Sequence, residues 1–385
     1  MSRIFRSGDL RAIVLLVLLW LIFFWRLFTP VAADQASFQK GDFSGQFVAF
    51  AAYQYDRFTA GEIPLWNPYN NGGLPFIADP QAAVFYPPRL LTIAASSRSG
   101  RFSYAALQWE AILHVLAYSL LMYAFLRRLL KEHPGSAYGA FIGAVVAAYG
   151  GFTAGYPMLQ LAILEGAIWL PLSALGILEA TRSKLKFSWL ALAGFALGLC
   201  WLAGHSQTSW LATYLLLAWL AYRVHMQHLG WRTFFGAAFL FGIITIGVTA
   251  VTLLPGIEYL RLASRSDLGY PAKGNGFPLQ DVLQWIFPGM VSVFSPLYVG
   301  IASLLLIFAA VRYRVESSRF WLGAASIGLL LSFGANTAFY PTLDNLLPGL
   351  SFFRGQERAA LIVAFSLATL AGLGAAKLAA WASDE

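Results

Sequence analysis

The chain has 385 residues, of which 58% are hydrophobic and only 11% charged, against roughly 25% charged in soluble domains. That composition excludes an ordinary soluble enzyme and a disordered chain. The net charge of +8 comes from 26 Lys and Arg against 18 Asp and Glu, but the excess falls in short alternate loops, as a topology signal does, so no nucleic-acid partner is implied.

Hydropathy predicts about ten membrane helices, over residues 10–31, 103–130, 137–156, 159–180, 189–203, 206–222, 234–254, 297–311, 320–333 and 358–380. The expected fold is an all-α polytopic membrane protein, a single integral membrane domain over 1–385. The first run follows Arg3, Arg6 and Arg11 and ends in Val31-Ala32-Ala33, as a cleaved signal peptide would. Its bulky Trp20, Phe23, Phe24 and Trp25 favour a retained anchor instead. Fifteen of the 26 basic residues, among them Arg127, Arg128, Arg182, Arg223, Arg312 and Lys377, lie in alternate short loops or tails. By the positive-inside rule these loops and both termini are cytoplasmic, and the long loops 34–103, 256–295 and 336–356 face outward. The repeats Gly139/Gly143, Gly151/Gly155 and Gly194/Gly198 are read as helix-packing devices. Very short turns at Gly155-Tyr156-Pro157 and Gly204-His205 predict two tight helical hairpins. The single cysteine, Cys200, lies in an apolar run, which leaves no disulfide framework and points to a packing role.

Most of the chemical character sits in the loop 34–103, too long and too aromatic for a mere connector. Asp42 precedes an expected amphipathic helix over 43–58. Its carboxylate is either a proton acceptor for a sugar hydroxyl or the N-cap of that helix. The run Ile63-Pro64-Leu65-Trp66-Asn67-Pro68-Tyr69, followed by Asn71-Gly72-Gly73, excludes regular helix. Trp66 and its neighbours suit a sugar platform, or only the membrane interface. Asp79 and Gln81 then precede Phe85-Tyr86-Pro87-Pro88-Arg89. A second carboxylate there can orient an acceptor or hold a divalent cation, but no DxD pair accompanies either Asp, so no metal ligand is assigned.

Ionisable groups within spans are costly and mark function or pairing. Glu110 and Glu165 are read as inter-helix partners. His205 and Gln207, in the segment Gly204-His205-Ser206-Gln207-Thr208, stand at a helix end where they can bond a phosphate or sugar, a structural histidine being the alternative. Arg354 and Arg358 open the last span. Positive charge at a helix N-terminus opposes the dipole, which favours a phosphate seat over mere snorkelling.

Taken in sequence, the motifs GDFSGQF (41–47), G-E-I-P-L-W-N-P-Y with G-G-L-P-F (61–76), D-P-Q with F-Y-P-P (79–88), G-H-S-Q-T (204–208) and F-R with a second arginine (353–358) resemble the bacterial YfhO-type membrane proteins. The likeness runs from Gly41 to Arg358. The last motif departs from the usual form in having Gly355-Gln356-Glu357 between its arginines. The resemblance implies a glycosyltransferase of the GT-C class, with amphipathic helices and a catalytic acid in the first outer loop. Such an enzyme moves a sugar, usually with inversion, from a polyprenyl-phosphate carrier to a cell-envelope glycan or polymer outside the cytoplasm. Asp42 carries over as the acid. Family members are often longer, and a further C-terminal region is expected.

The expected mechanism has Asp42 as general base and the carrier phosphate near Arg354 and Arg358, helped by His205 and Gln207. Asp79, Gln81, Trp66, Asn67 and Tyr86 shape the sugar pocket. No cofactor is assigned. A transporter or flippase of lipid-linked sugars is the main rival, with interrupted helices and midplane charges as its signature. A non-catalytic envelope-assembly scaffold is the third reading.

Overall fold

The computed structural model describes residues 7–38, 41–70, 72–97, 100–155, 158, 160–262 and 274–384. Arg3, Arg6, Asn71, Tyr156 and Pro157 of the sequence motifs lie outside them. The described residues are helical, with one isolated antiparallel bridge between Asn67 and Leu74. In chain order the α-helices are α1 (Ser7–Phe23), α2 (Val48–Thr59), α3 (Pro87–Ser97), α4 (Tyr104–Leu129), α5 (Ser136–Tyr149), α6 (Gly151–Ala154), α7 (Leu161–Ala167), α8 (Leu170–Ala180), α9 (Phe187–Leu202), α10 (Ser206–Met226), α11 (Trp231–Leu262), α12 (Ile301–Arg312), α13 (Ser318–Ser332), α14 (Tyr340–Leu346) and α15 (Ala360–Asp384).

Among the described residues, five helical stretches are long and apolar enough to cross a membrane: Tyr104–Leu129, Ser136–Ala154, Leu161–Ala180, Trp231–Leu262 and Gln356–Ala382. Phe187–Leu202 and Ile301–Arg312 are shorter apolar helices. The first expected span is cut short. α1 ends at Phe23 and gives way to 3-10 turns at Trp25–Leu27 and Ala32–Asp34, with Pro30 between them disfavouring helix at Thr29. The stretch Leu161–Ala180 is interrupted between α7 and α8, where Pro171 has no N–H to donate back along the helix.

Small residues allow the central helices to touch. A Cβ on Gly139 would lie 2.4 Å from the Gly372 carbonyl oxygen, and one on Gly143 would lie 3.0 Å from that of Ala368, so α5 meets α15 backbone to backbone. Gly194 and Gly198 seat α9 against Phe241 and Val248 of α11 in the same way. Aromatic rings fill the bundle centre, where Phe125, Trp219, Trp321 and Phe365 are fully buried and in mutual contact.

The two ends of the bundle differ in chemistry. At one end the basic loops find carboxylates: Arg127 bonds Asp9 at 2.6 Å, while Arg128 and Arg182 share Glu179 at 2.8 and 2.7 Å. At the other end the segment 34–103 folds over the helix tips with a small core of its own, in which Phe50, Leu74, Phe76, Ala82 and Val84 are buried. The Gln54 side-chain amide donates to the Ala82 carbonyl beneath this core. Its described residues carry two α-helices, α2 and α3.

Candidate functional site

Asp42 stands at the head of a π-helical turn, Phe43–Phe47, that runs into α2. Its side chain makes no capping bond to that turn, so the N-cap alternative is not what the carboxylate does. Instead its Oδ2 accepts a 2.6 Å hydrogen bond from Nε2 of Gln160, a buried residue at the head of α7. Among the described residues no cation pairs with Asp42. A half-buried carboxylate held by one neutral amide has lone pairs left for another proton donor.

Gln46 lies one turn further along the same helix, and its Nε2 donates to Oε1 of Gln81 at 2.6 Å. Asp79 is the residue that caps: its Oδ1 accepts from the Gln81 backbone N–H at 2.9 Å and closes the turn Pro80–Ala82. Gly204, at φ +99°, then presses against this turn, since a Cβ there would lie 2.2 Å from the Pro80 carbonyl oxygen. A side chain at this position is excluded both by conformation and by contact. The glycine thus fastens the hairpin between α9 and α10 to the first loop.

His205 is the N-cap of α10. Its Nδ1 accepts from the Thr208 backbone N–H at 3.1 Å, and an imidazole nitrogen that accepts carries no proton of its own. It is a buried structural histidine, so the expected partly wetted phosphate ligand is corrected. Gln207, also buried, bridges to the last motif: its Nε2 donates to the Gly355 carbonyl at 3.2 Å, and its Oε1 accepts from Arg358 Nη1 at 3.2 Å. That guanidinium nitrogen also donates to the Arg354 carbonyl at 2.8 Å. Arg358 therefore locks the turn 354–358 onto α10, which is reason enough for a cation at a helix start. Arg354 is exposed.

Two expected pocket residues are placed elsewhere. Asn67 is buried and builds its own turn, accepting from the Tyr69 N–H at 2.9 Å. Tyr86 is fully buried. Its hydroxyl lies 2.7 Å from His114 Nε2 and accepts from Trp169 Nε1 at 2.9 Å. His114 Nδ1 faces the Glu110 carbonyl at 2.6 Å, and a carbonyl only accepts, so Nδ1 carries the proton and Tyr86 donates to Nε2. Trp66 is exposed, its ring lying over Gly73.

Beside Tyr86 lies a sealed ionic cluster. Arg89 Nε donates to both oxygens of Glu110 at 2.9 and 3.2 Å, and Nη2 donates to Glu165 at 3.1 Å. All three side chains are at most 1% exposed. The pairing of Glu110 and Glu165 follows the expectation, but the cation that joins them was not anticipated. Neither was Gln160. The signal for Arg89 was indirect: two carboxylates in apolar helices require a counter-charge, and Arg89 enters an apolar helix from the loop that returns to the bundle.

Hydrogen bonds thus join Gln46 to Gln81 and Gln207 to Arg358, Gly204 packs on the turn that Asp79 caps, and Asp42 stands four positions before Gln46, while Tyr86, Asn67 and His205 serve the frame beneath. Searches against family models, characterised proteins and solved structures find no match to this chain.

Proposed function

We propose that the protein is a membrane glycosyltransferase of the GT-C type, with about ten spans, cytoplasmic termini and its active site on the outer face. It transfers a sugar from a polyprenyl-phosphate carrier to a cell-envelope acceptor. The single observation that carries this reading is the state of Asp42: a half-buried carboxylate released from capping and oriented by Gln160, at the start of the polar line described above.

In the proposed reaction the acceptor hydroxyl oxygen attacks the anomeric carbon. Its proton passes to the Asp42 carboxylate as the bond from that carbon to the carrier's phosphate oxygen breaks. The electron pair leaves with the lipid phosphate, and the configuration inverts. Asp42 must lie about 3 Å from the attacking oxygen, and general-base catalysis of this kind contributes roughly 10²- to 10⁴-fold. Charge growing on the departing phosphate calls for a cation. Of the two arginines expected there, Arg358 is spent on Gln207 and on backbone carbonyls, which leaves Arg354.

The test is transfer of labelled sugar from polyprenyl-phosphate sugars to an envelope fraction by the purified protein and by Asp42→Asn. Loss of transfer in a folded variant supports the base. Equal transfer by both removes Asp42 from the mechanism.

One observation favours a second reading, transport of a lipid-linked sugar. The stretch Leu161–Ala180 is interrupted between α7 and α8, beside the sealed charges of Arg89, Glu110 and Glu165, and broken helices with internal charges are what transporters use. Movement of labelled lipid across reconstituted vesicles, unaffected by Asp42→Asn, would favour it.

A further inference from the structure

A cleft of about 400 Å³ lies beside the candidate site, between the end of α1, the strap 32–38, the end of α6 and the loop before α12. Phe23, Leu27, Phe38, Met158 and Phe294 line it, and among the described residues Arg26 is its only charged wall. We propose that this cleft binds the first isoprenoid units of a long-chain lipid phosphate, with the phosphate held by Arg26.

The strap that forms one wall is firmly built. Arg26 Nε donates to the Asp34 carbonyl at 2.9 Å, and the Ala36 N–H donates to the Arg26 carbonyl at 3.0 Å. The Phe38 N–H donates to Gln108 Oε1 at 2.9 Å, and the Tyr104 hydroxyl donates to the Phe38 carbonyl. These bonds fix the direction of the Arg26 guanidinium while leaving Nη1 and Nη2 without a partner among the described residues. Two parallel N–H groups on an exposed arginine suit a phosphate. The apolar walls suit a hydrocarbon tail, which a free phosphate or a soluble sugar nucleotide does not have.

The mouth faces a greasy surface. Phe294 continues a run in which Phe287, Met290 and Val293 are exposed, a patch that hydrocarbon covers at no cost. On the other side the cleft borders the Asp42 pair twice. The Phe38 ring packs edge-on against Phe43, the neighbour of Asp42, at 5.3 Å. Met158 lies two positions before Gln160, which holds Asp42. A lipid in this cleft therefore lies against Phe38, whose ring touches the neighbour of Asp42. Arg26 is then a further cation, in addition to Arg354, offered to the leaving group.

The identification of the lipid as a sugar carrier rests on the proposed function; the binding site itself does not. The experiment is binding of a polyprenyl monophosphate to the full chain in nanodiscs, with the dephosphorylated polyprenol and phosphatidylglycerol as competitors. Arg26→Gln should weaken binding at least about tenfold, the value of one lost charge-assisted contact. Arg26→Lys should retain part of it, and Met158→Trp, which fills the cleft without touching charge, should also weaken it. Unaltered binding by Arg26→Gln and Met158→Trp would overturn the inference, as would equal competition by phosphatidylglycerol, which would make the cleft a seat for bulk lipid. Arg26-dependent binding without any sugar transfer would keep the cleft and sink the enzyme. Full transfer by Arg26→Gln would do the reverse.

Discussion

The polar line that begins at Asp42 and the cluster around Arg89 share the short helix α7: Gln160 at its head serves the first, and Glu165 further along serves the second. In the line, the members at its two ends, Asp42 and Arg354, are open to solvent to different degrees. In the cluster, water is shut out and an arginine and two carboxyl groups are joined by direct bonds. Removing water raises the strength of every charge interaction and the penalty for breaking one. The sealed group therefore fixes where α3, α4 and α7 sit, and the open group keeps unspent lone pairs and positive charge for a substrate. Ionisable residues in apolar helices mark importance in both cases, but only exposure tells architecture from chemistry.

Four substitutions test that contrast. The largest effect is expected from Arg89→Met, which strands two buried carboxylates and should cost about 3–5 kcal/mol. Thermal unfolding in detergent reads it, and combining it with Glu110→Gln and Glu165→Gln should recover most of the loss. A single variant as stable as the parent would show that the cluster does not hold the helices. Asp42→Asn should do the opposite. Gln160 can still donate to the amide oxygen, so stability should move by less than about 0.5 kcal/mol while transfer falls roughly 10²- to 10⁴-fold; a marked drop in melting temperature would assign Asp42 to the frame. Gly204→Ala forces a side chain into a left-handed conformation and into the Pro80 carbonyl. A cost of about 1–3 kcal/mol is expected, with faster proteolysis of the loop 34–103 as its sign. Least of all, Trp66→Ala should change stability by no more than about 0.5 kcal/mol, because its ring is more than half exposed.

The helical class and the packing role of Gly139, Gly143, Gly194 and Gly198 were legible because composition and spacing report directly on hydrocarbon and close backbone approach. The amphipathic helix after Asp42 was legible for the same local reason. The length of the first span was not: residues 24–31 are apolar enough to continue a helix, but α1 stops at Phe23 and the chain turns back on itself. Tyr86 was misassigned because an aromatic in a polar loop reads as surface, whereas here it plugs the space between α4 and α8 and satisfies His114 and Trp169.

By itself the sequence determined what depends on neighbours along the chain: a helical protein rich in apolar helices, a long segment between the first two apolar runs, and the residue types available for chemistry. Only the tertiary structure decided which of them meet. Gln160 reaches Asp42 across 118 positions of chain and Arg89 reaches Glu165 across 76. Both pairings are set by how α7 packs beneath the first loop. A hydrogen bond acts over about 3 Å of space, and no spacing in sequence encodes a distance of that kind between segments so far apart.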